Sequence, residues 1–167
     1  MIELSVIVPC YNEQNNIKDL ISKVLELFNK NIINGEIILV NDGSNDRSLI
    51  EIEKICRQFK NVIGISHAKN FGITETWNRG LKNSHGKYVV TIDADLQYNP
   101  EDIPKLVKEI ENGSDLALGS RFKGKIEYMP LVRKFGNRAF SKLISQVTGV
   151  KITDAQTGFR AFTREVA

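Results

Sequence analysis

Residues 88–97 read Tyr-Val-Val-Thr-Ile-Asp-Ala-Asp-Leu-Gln, a short β-branched apolar run that stops on two carboxylates, Asp93 and Asp95. Such a run predicts a strand buried on both faces, with the acids just beyond its carboxyl end. The plan recurs upstream. Leu4 to Pro9 is a strand, followed by Tyr11, Asn12 and Glu13 and then an amphipathic helix with Ile17, Leu20, Ile21, Val24 and Phe28 on one side. Glu36 to Val40 is a second strand, and a turn at Asn41 to Asn45 leads into a helix from Ser48 to Phe59 that Asp46 or Ser44 caps. Val62 to Ser66 is a third strand, and Asn70-Phe71-Gly72 opens a helix ending near Ser84, with Gly86 as its expected stop. Downstream, Pro100 suits the first turn of a helix through Glu111, and Leu116 to Leu118 forms another strand. Strands alternating with amphipathic helices predict an α/β fold, a mainly parallel doubly wound sheet with helices on both faces. Ligands of such sheets sit beyond the carboxyl ends of the strands, where each of these polar clusters falls.

The 167 residues suit a single domain, and 41% hydrophobic with 26% charged residues is the balance of a globular chain, not a disordered or membrane-spanning one. Formal net charge is +3, with Arg121, Lys123, Lys125, Arg133, Lys134, Arg138 and Lys142 crowded into the last third. That asymmetry points to an anionic partner, and without an RNA-binding, zinc-finger or helix-turn-helix pattern, phosphate or a membrane surface is preferred to nucleic acid. Cys10 and Cys56 match neither a disulfide framework nor a metal-ligand spacing and suit a reducing compartment. No secretory signal pattern opens the chain and no apolar run is long enough to cross a bilayer, so a cytoplasmic location is expected. Pro130 to Val147 reads as a helix with a basic face, and Thr153 to Phe162 has no assignable form. Arg160 to Ala167 reads as a strand running on into further chain, so truncation at the carboxyl end is expected.

Two residues apart in extended chain, Asp93 and Asp95 project to the same side and form a clamp for a hard divalent cation, Mg²⁺ or Mn²⁺, whose shell diphosphate oxygens complete. Gln97 adds an amide oxygen. A bare Asp-x-Asp elsewhere is usually a solvated acidic loop; the end of a buried strand favours the metal. Asp42 is placed to accept hydrogen bonds from a nucleobase or ribose, although Asp-Gly-Ser alone is ordinary turn and capping chemistry. Pro9, Tyr11, Asn12 and Glu13 carry the same two readings. His67 is read as an edge residue, and Lys69, Asn70 and Gly72 as bordering a nucleoside pocket.

Together these loops resemble the family 2 glycosyltransferases of GT-A fold, and within them the dolichol-phosphate mannosyltransferase and polyprenyl-phosphate glycosyltransferase group. The resemblance rests on Val8-Pro9-Cys10-Tyr11-Asn12-Glu13, Val40 to Asp46, Asp93-Ala94-Asp95-Leu96-Gln97 with Pro100-Glu101, Gly119-Ser120-Arg121, and Asp154 to Arg160. It implies that Pro9, Tyr11, Glu13, Asp42 and Asp93 hold the donor nucleotide. Asp93, Asp95 and Gln97 would bind the metal, Arg121 would meet phosphate charge, and Arg133, Lys134 and Arg138 would lie toward the membrane. Asn41 departs from the second Asp of many relatives.

The implied reaction is an inverting displacement at the anomeric carbon of a GDP- or UDP-sugar by a polyprenyl or dolichyl phosphate, at the cytoplasmic face of the membrane. Asp95 and Arg121 serve the departing diphosphate, and Asp154 is the candidate general base or organiser of the acceptor. A saccharide hydroxyl in cell-surface polysaccharide synthesis is the nearest rival acceptor. A phosphoacceptor signalling domain expects an acidic pair after the first strand, where this chain has Pro9-Cys10-Tyr11; a nucleotide-binding module without turnover is the third alternative. Sugar, base and oligomeric state are not legible.

Overall fold

The computed structural model describes residues 2–120, 141–147, 149, 153–154 and 157–166. In chain order they form β1 (Leu4–Cys10), α1 (Ile17–Asn31), β2 (Gly35–Asn41), α2 (Ser48–Gln58), β3 (Val62–Ser66), α3 (Ile73–Lys82), β4 (Tyr88–Thr91), α4 (Ile103–Glu111), β5 (Leu116–Leu118) and β6 (Arg160–Thr163). A single-turn 3-10 helix, Pro100–Asp102, leads into α4, with the Asn99 side chain accepting from the Glu101 N–H. The strands make one sheet in the order β3-β2-β1-β4-β6-β5. β3, β2, β1 and β4 run parallel, while β6 is antiparallel to both β4 and β5.

Side-chain alternation divides the interior in two. Val6, Val8, Ile37, Leu39, Val90 and Ala161 face α1, α2 and α4, which contribute Ile17, Leu20, Ile21, Ile52, Ile55, Ile103 and Ile110. Ile7, Ile38, Val40 and Val89 face the other way, with Leu81 of α3 and Phe162 of β6 against them. Each fully buried Ile or Leu contributes about 1.5–3 kcal/mol of transfer free energy. α3 approaches closely because Gly80 has no side chain; a Cβ there would strike Ile7 Cγ2.

The predicted mainly parallel sheet, helical on both faces, is the observed one. The last segment differs. Arg160 to Ala167 was expected to be one strand leading onward, whereas β6 ends at Thr163 and lies inside the sheet, pairing Thr91 with Arg160 on one side and Leu118 with Arg160 on the other. Periodicity cannot reveal a strand that joins a sheet out of chain order. Gly86 also has a different reason from helix termination: a Cβ there would meet Ser5 N at 2.5 Å and Leu4 C at 2.7 Å, so the chain entering β4 needs glycine to pass the start of β1. Of the helix predicted from Pro130, 141–147 is helical and the rest lies outside the described residues.

Candidate active site

The carboxyl ends of β1 and β2 are tied together by reciprocal hydrogen bonds between their loops. Ser44 Oγ accepts from Asn12 N at 3.0 Å, Asn12 Oδ1 from Asn45 N at 2.9 Å, Ser48 Oγ from Glu13 N at 2.8 Å, and Asp46 Oδ2 from Gln14 N at 3.2 Å. Asp46 Oδ1 also accepts from Ser48 N at 2.8 Å, closing the start of α2. The short polar side chains of both loops thus satisfy each other's backbone donors. Asn41 is used as an amide: its Nδ2 donates to Ser66 Oγ at 2.8 Å and its Oδ1 accepts from Ser44 N at 3.2 Å, a donor–acceptor combination a carboxylate cannot supply.

Asp42 organises the next loop. Its Oδ1 accepts from Phe71 N at 2.9 Å and lies 2.8 Å from His67 Nδ1, and its Oδ2 accepts from Gly72 N at 2.9 Å. Against a carboxylate the proton of this contact belongs on Nδ1. Burial pushes the Asp42 carboxyl up, but the bonds from His67, Phe71 and Gly72 outweigh it and hold the group below its ordinary value. Gly43, at φ +67°, completes the junction, since a Cβ there would sit 2.6 Å from Asn70 N. Asp42 lines the cleft, and these three bonds made within the chain also brace its wall.

β4 ends at Thr91, so Asp93 lies past the strand and Ala94-Asp95 sit in a turn, where extended chain was expected. Leu96 follows in the left-handed region at φ 61°, a strained conformation for that residue, and Asp95 Oδ1 accepts from Gln97 N at 3.1 Å. The turn still brings both acids to one place. An open cleft of about 330 Å³ is lined by Pro9, Tyr11, Glu13, Asp42, Asp93 and Asp95 together with Asn70, Gly72, Ile73 and Thr76. Its four carboxylates make the cleft strongly acidic. Burial raises the Glu13 carboxyl, the nearby charges of Asp95 and Asp46 raise it further, and a bond from Asn16 opposes them. Burial also pushes the Cys10 thiol upward, so that residue is packing and not a nucleophile.

No group of three or more His, Cys, Asp and Glu side chains among the described residues could hold a metal ion. Two hard carboxylates on one cleft suit a different arrangement, in which Mg²⁺ or Mn²⁺ takes one or two protein oxygens and completes its shell with phosphate and water. The donor set therefore fits such an ion together with a diphosphate, and an acidic wall would repel the diphosphate alone.

The structure gathers Pro9, Tyr11, Glu13, Asp42, Asp93 and Asp95 at one cleft. Gln97 is exposed and is not among the cleft-lining residues; Asp154 is buried, 1% exposed, and is not among them either. Arg121, with Lys123, Lys125, Arg133, Lys134 and Arg138, lies outside the described residues. His67, read from the sequence as an edge residue, follows the edge strand β3 and also pairs with Asp42, its side chain 8% exposed. The available signal was register: β2 and β3 pair Asn41 with Ser66, which sets the following residues, Asp42 and His67, side by side. Ile73 and Thr76 were not anticipated at all. Among the described residues no helix is long and apolar enough to cross a membrane.

The sequence model of glycosyl transferase family 2 matches residues 5–167. The chain is 36% identical over 169 residues to a dolichol-phosphate mannosyltransferase of Pyrococcus furiosus, covering 98% of this chain and 47% of that protein. It is also 36% identical over 177 residues to a UDP-N-acetylglucosamine--dolichyl-phosphate N-acetylglucosaminyltransferase of Methanococcus voltae, covering 95% of this chain and 68% of that one. Two different sugars thus appear in the names of relatives at equal identity. The chain spans about half the length of several curated relatives it matches, 47%, 51% and 49%. In fold it is similar to glucosyl-3-phosphoglycerate synthase from Mycobacterium tuberculosis, solved with Mn²⁺, UDP and glucosyl-3-phosphoglycerate, at a TM-score of 0.71 and 24% identity over 98% of this chain and 57% of that one.

Proposed function

The chain belongs to glycosyl transferase family 2, and from that premise we propose that it moves a hexose from a GDP- or UDP-sugar to a polyprenyl or dolichyl phosphate at the cytoplasmic face of a membrane. The observation that carries the proposal is the convergence of Asp93 and Asp95 with Glu13 and Asp42 on one cleft at the carboxyl end of the parallel strands. The dolichyl phosphates in the names of two relatives support the lipid acceptor.

In this reading Pro9, Tyr11, Glu13 and Asp42, held by the stitched loops, receive the nucleoside. Asp93 and Asp95, with the Gln97 amide, would hold Mg²⁺ or Mn²⁺. Such an ion, when bound, supplies counter-charge to the leaving diphosphate. An acceptor phosphate oxygen bonds to the anomeric carbon while the bond to the diphosphate oxygen breaks, its electron pair leaving with the nucleotide and the configuration inverting. Arg121 would meet phosphate charge. A phosphate acceptor is already anionic and needs placement more than deprotonation, so the buried Asp154 suits an organiser of the acceptor side better than a base.

A thermal-shift panel of UDP and GDP with and without Mn²⁺, with Asp95→Ala as control, tests the donor site. At a ligand concentration about 100 times Kd, binding adds about 2.7 kcal/mol, several degrees in Tm. Equal shifts in Asp95→Ala would remove the site. Label should then pass from the matching nucleotide sugar to a short polyprenyl phosphate and not to the corresponding polyprenol; label passing to an oligosaccharide would move the acceptor assignment.

A further inference from the structure

Residues 157–160 cross from the acceptor-side motif into β6, and their contacts run to the acidic loop. Gly158 lies directly against the Asp93 carboxylate: a Cβ at 158 would overlap Asp93 Oδ1, Oδ2 and Cγ. Its carbonyl accepts from Thr91 Oγ1 at 2.6 Å, two residues before Asp93 on the same chain. One residue earlier, Thr157 Oγ1 lies 2.8 Å from the Tyr98 hydroxyl, both buried, and accepts from Phe159 N at 3.0 Å. The Phe159 ring packs on Tyr98 with centroids 5.2 Å apart. Thr157 O accepts from Arg160 Nε at 2.8 Å, and the Arg160 guanidinium lies over Trp77 of α3 at 4.6 Å. The segment therefore grips the 91–98 loop at both ends, Thr91 before the acids and Tyr98 after them, and backs one acid from behind.

We propose that Thr157 and Gly158 are positioning residues for the cation grip of Asp93 and Asp95, acting through the carboxylate of Asp93 and the hydroxyl of Tyr98. The inference rests on the metal–diphosphate reading given above and deepens it. A two-carboxylate clamp binds its ion only if both oxygens stand at the right separation, and side chains locked by a supporting layer hold such a separation better than a free turn does. Gly158 sets where the Asp93 carboxylate can lie, because it leaves the space that any side chain would take. The Tyr98–Thr157 bond fixes the far end of the same turn, which contains the left-handed Leu96. The grip is thereby built from two parts of the chain about sixty residues apart.

Mn²⁺ titrations of the whole chain, followed by electron paramagnetic resonance of free Mn²⁺ with UDP or with GDP present, test this directly. Gly158→Ala should weaken Mn²⁺ binding at least tenfold while the Tm without metal or nucleotide moves little. Tyr98→Phe, which removes one hydroxyl and keeps the ring stack on Phe159, should weaken it about threefold. Thr157→Ser should retain wild-type affinity and Thr157→Val should not. If Gly158→Ala fails to fold, the Tyr98 and Thr157 variants decide. Wild-type affinity in all the folded variants, with the parent chain binding Mn²⁺, overturns the positioning role and leaves the donor-site reading standing. A parent chain that binds no Mn²⁺ with either nucleotide overturns both.

Discussion

The two ends of β2 carry the same chemical device and use it differently. Glu36 and Asp42 stand at opposite ends of one row on the α3 face, with Ile38 and Val40 between them, about 20 Å apart along the strand. Both are buried, at 3% and 4% exposure, and each carboxylate faces a histidine Nδ1, His85 at 3.2 Å and His67 at 2.8 Å. At the amino end, Glu36 Oε1 accepts from Ser5 Oγ and from His85 N, both at 2.6 Å, and Ser5 Oγ accepts from Gly86 N at 2.8 Å. Those bonds close a polar knot around the entry to β4. At the carboxyl end, the bonds of Asp42 hold a wall of the cleft. A buried carboxylate facing a histidine, exposed at His85 and covered at His67, is therefore not in itself a sign of an active site; what it holds in place decides.

That contrast predicts different consequences along a single strand. Glu36→Ala strands the Ser5 hydroxyl and the His85 N–H, and urea denaturation should show a loss of about 3 kcal/mol. The Mn²⁺–nucleotide thermal shift of the surviving folded protein should be unchanged; losing it would erase the distinction between the ends. Asp42→Asn should cost about 2 kcal/mol at pH 7 and also weaken nucleotide binding, because the amide presents N–H to a site built of donors. Its pH dependence follows from the lowered carboxyl. A depressed folded-state pKa contributes stability above the unfolded value of about 3.9 and loses it as pH falls through the folded one. The gap between wild type and Asp42→Asn, followed by denaturant midpoints, should accordingly be full at neutral pH and close on acidification below about pH 4. Asn41→Asp is the mildest, about 1 kcal/mol in the same assay, because it removes one donor toward Ser66 while Ser66 can turn its own hydroxyl.

Much of this architecture was written in local pattern. Apolar runs such as Glu36 to Val40, bounded by polar clusters, mark the parallel strands, and the rule that ligands lie beyond their carboxyl ends places Tyr11, Glu13, Asp42, Asp93 and Asp95 together. Features that depend on tertiary register were not legible. His67 carries no local mark as the partner of Asp42, since the pairing comes from β2 and β3 lying side by side. Gly158 beside Asp93 and the position of β6 depend on contacts nearly seventy residues apart in sequence. Asn41, met in the sequence as a departure from relatives, turns out to need both faces of its amide.

The place of β6 between β4 and β5 bears on how the chain is made. Among the described strands, β4 has no neighbour on its outer edge and β5 has none at all until Arg160 to Thr163 has left the ribosome. Over that interval the nascent chain carries unpaired strand edges, the feature most prone to pairing with the wrong molecule. Closing the sheet is thus a late, long-range event, and a ribosome-bound chain stopped shortly before residue 160 would be the form most dependent on a chaperone.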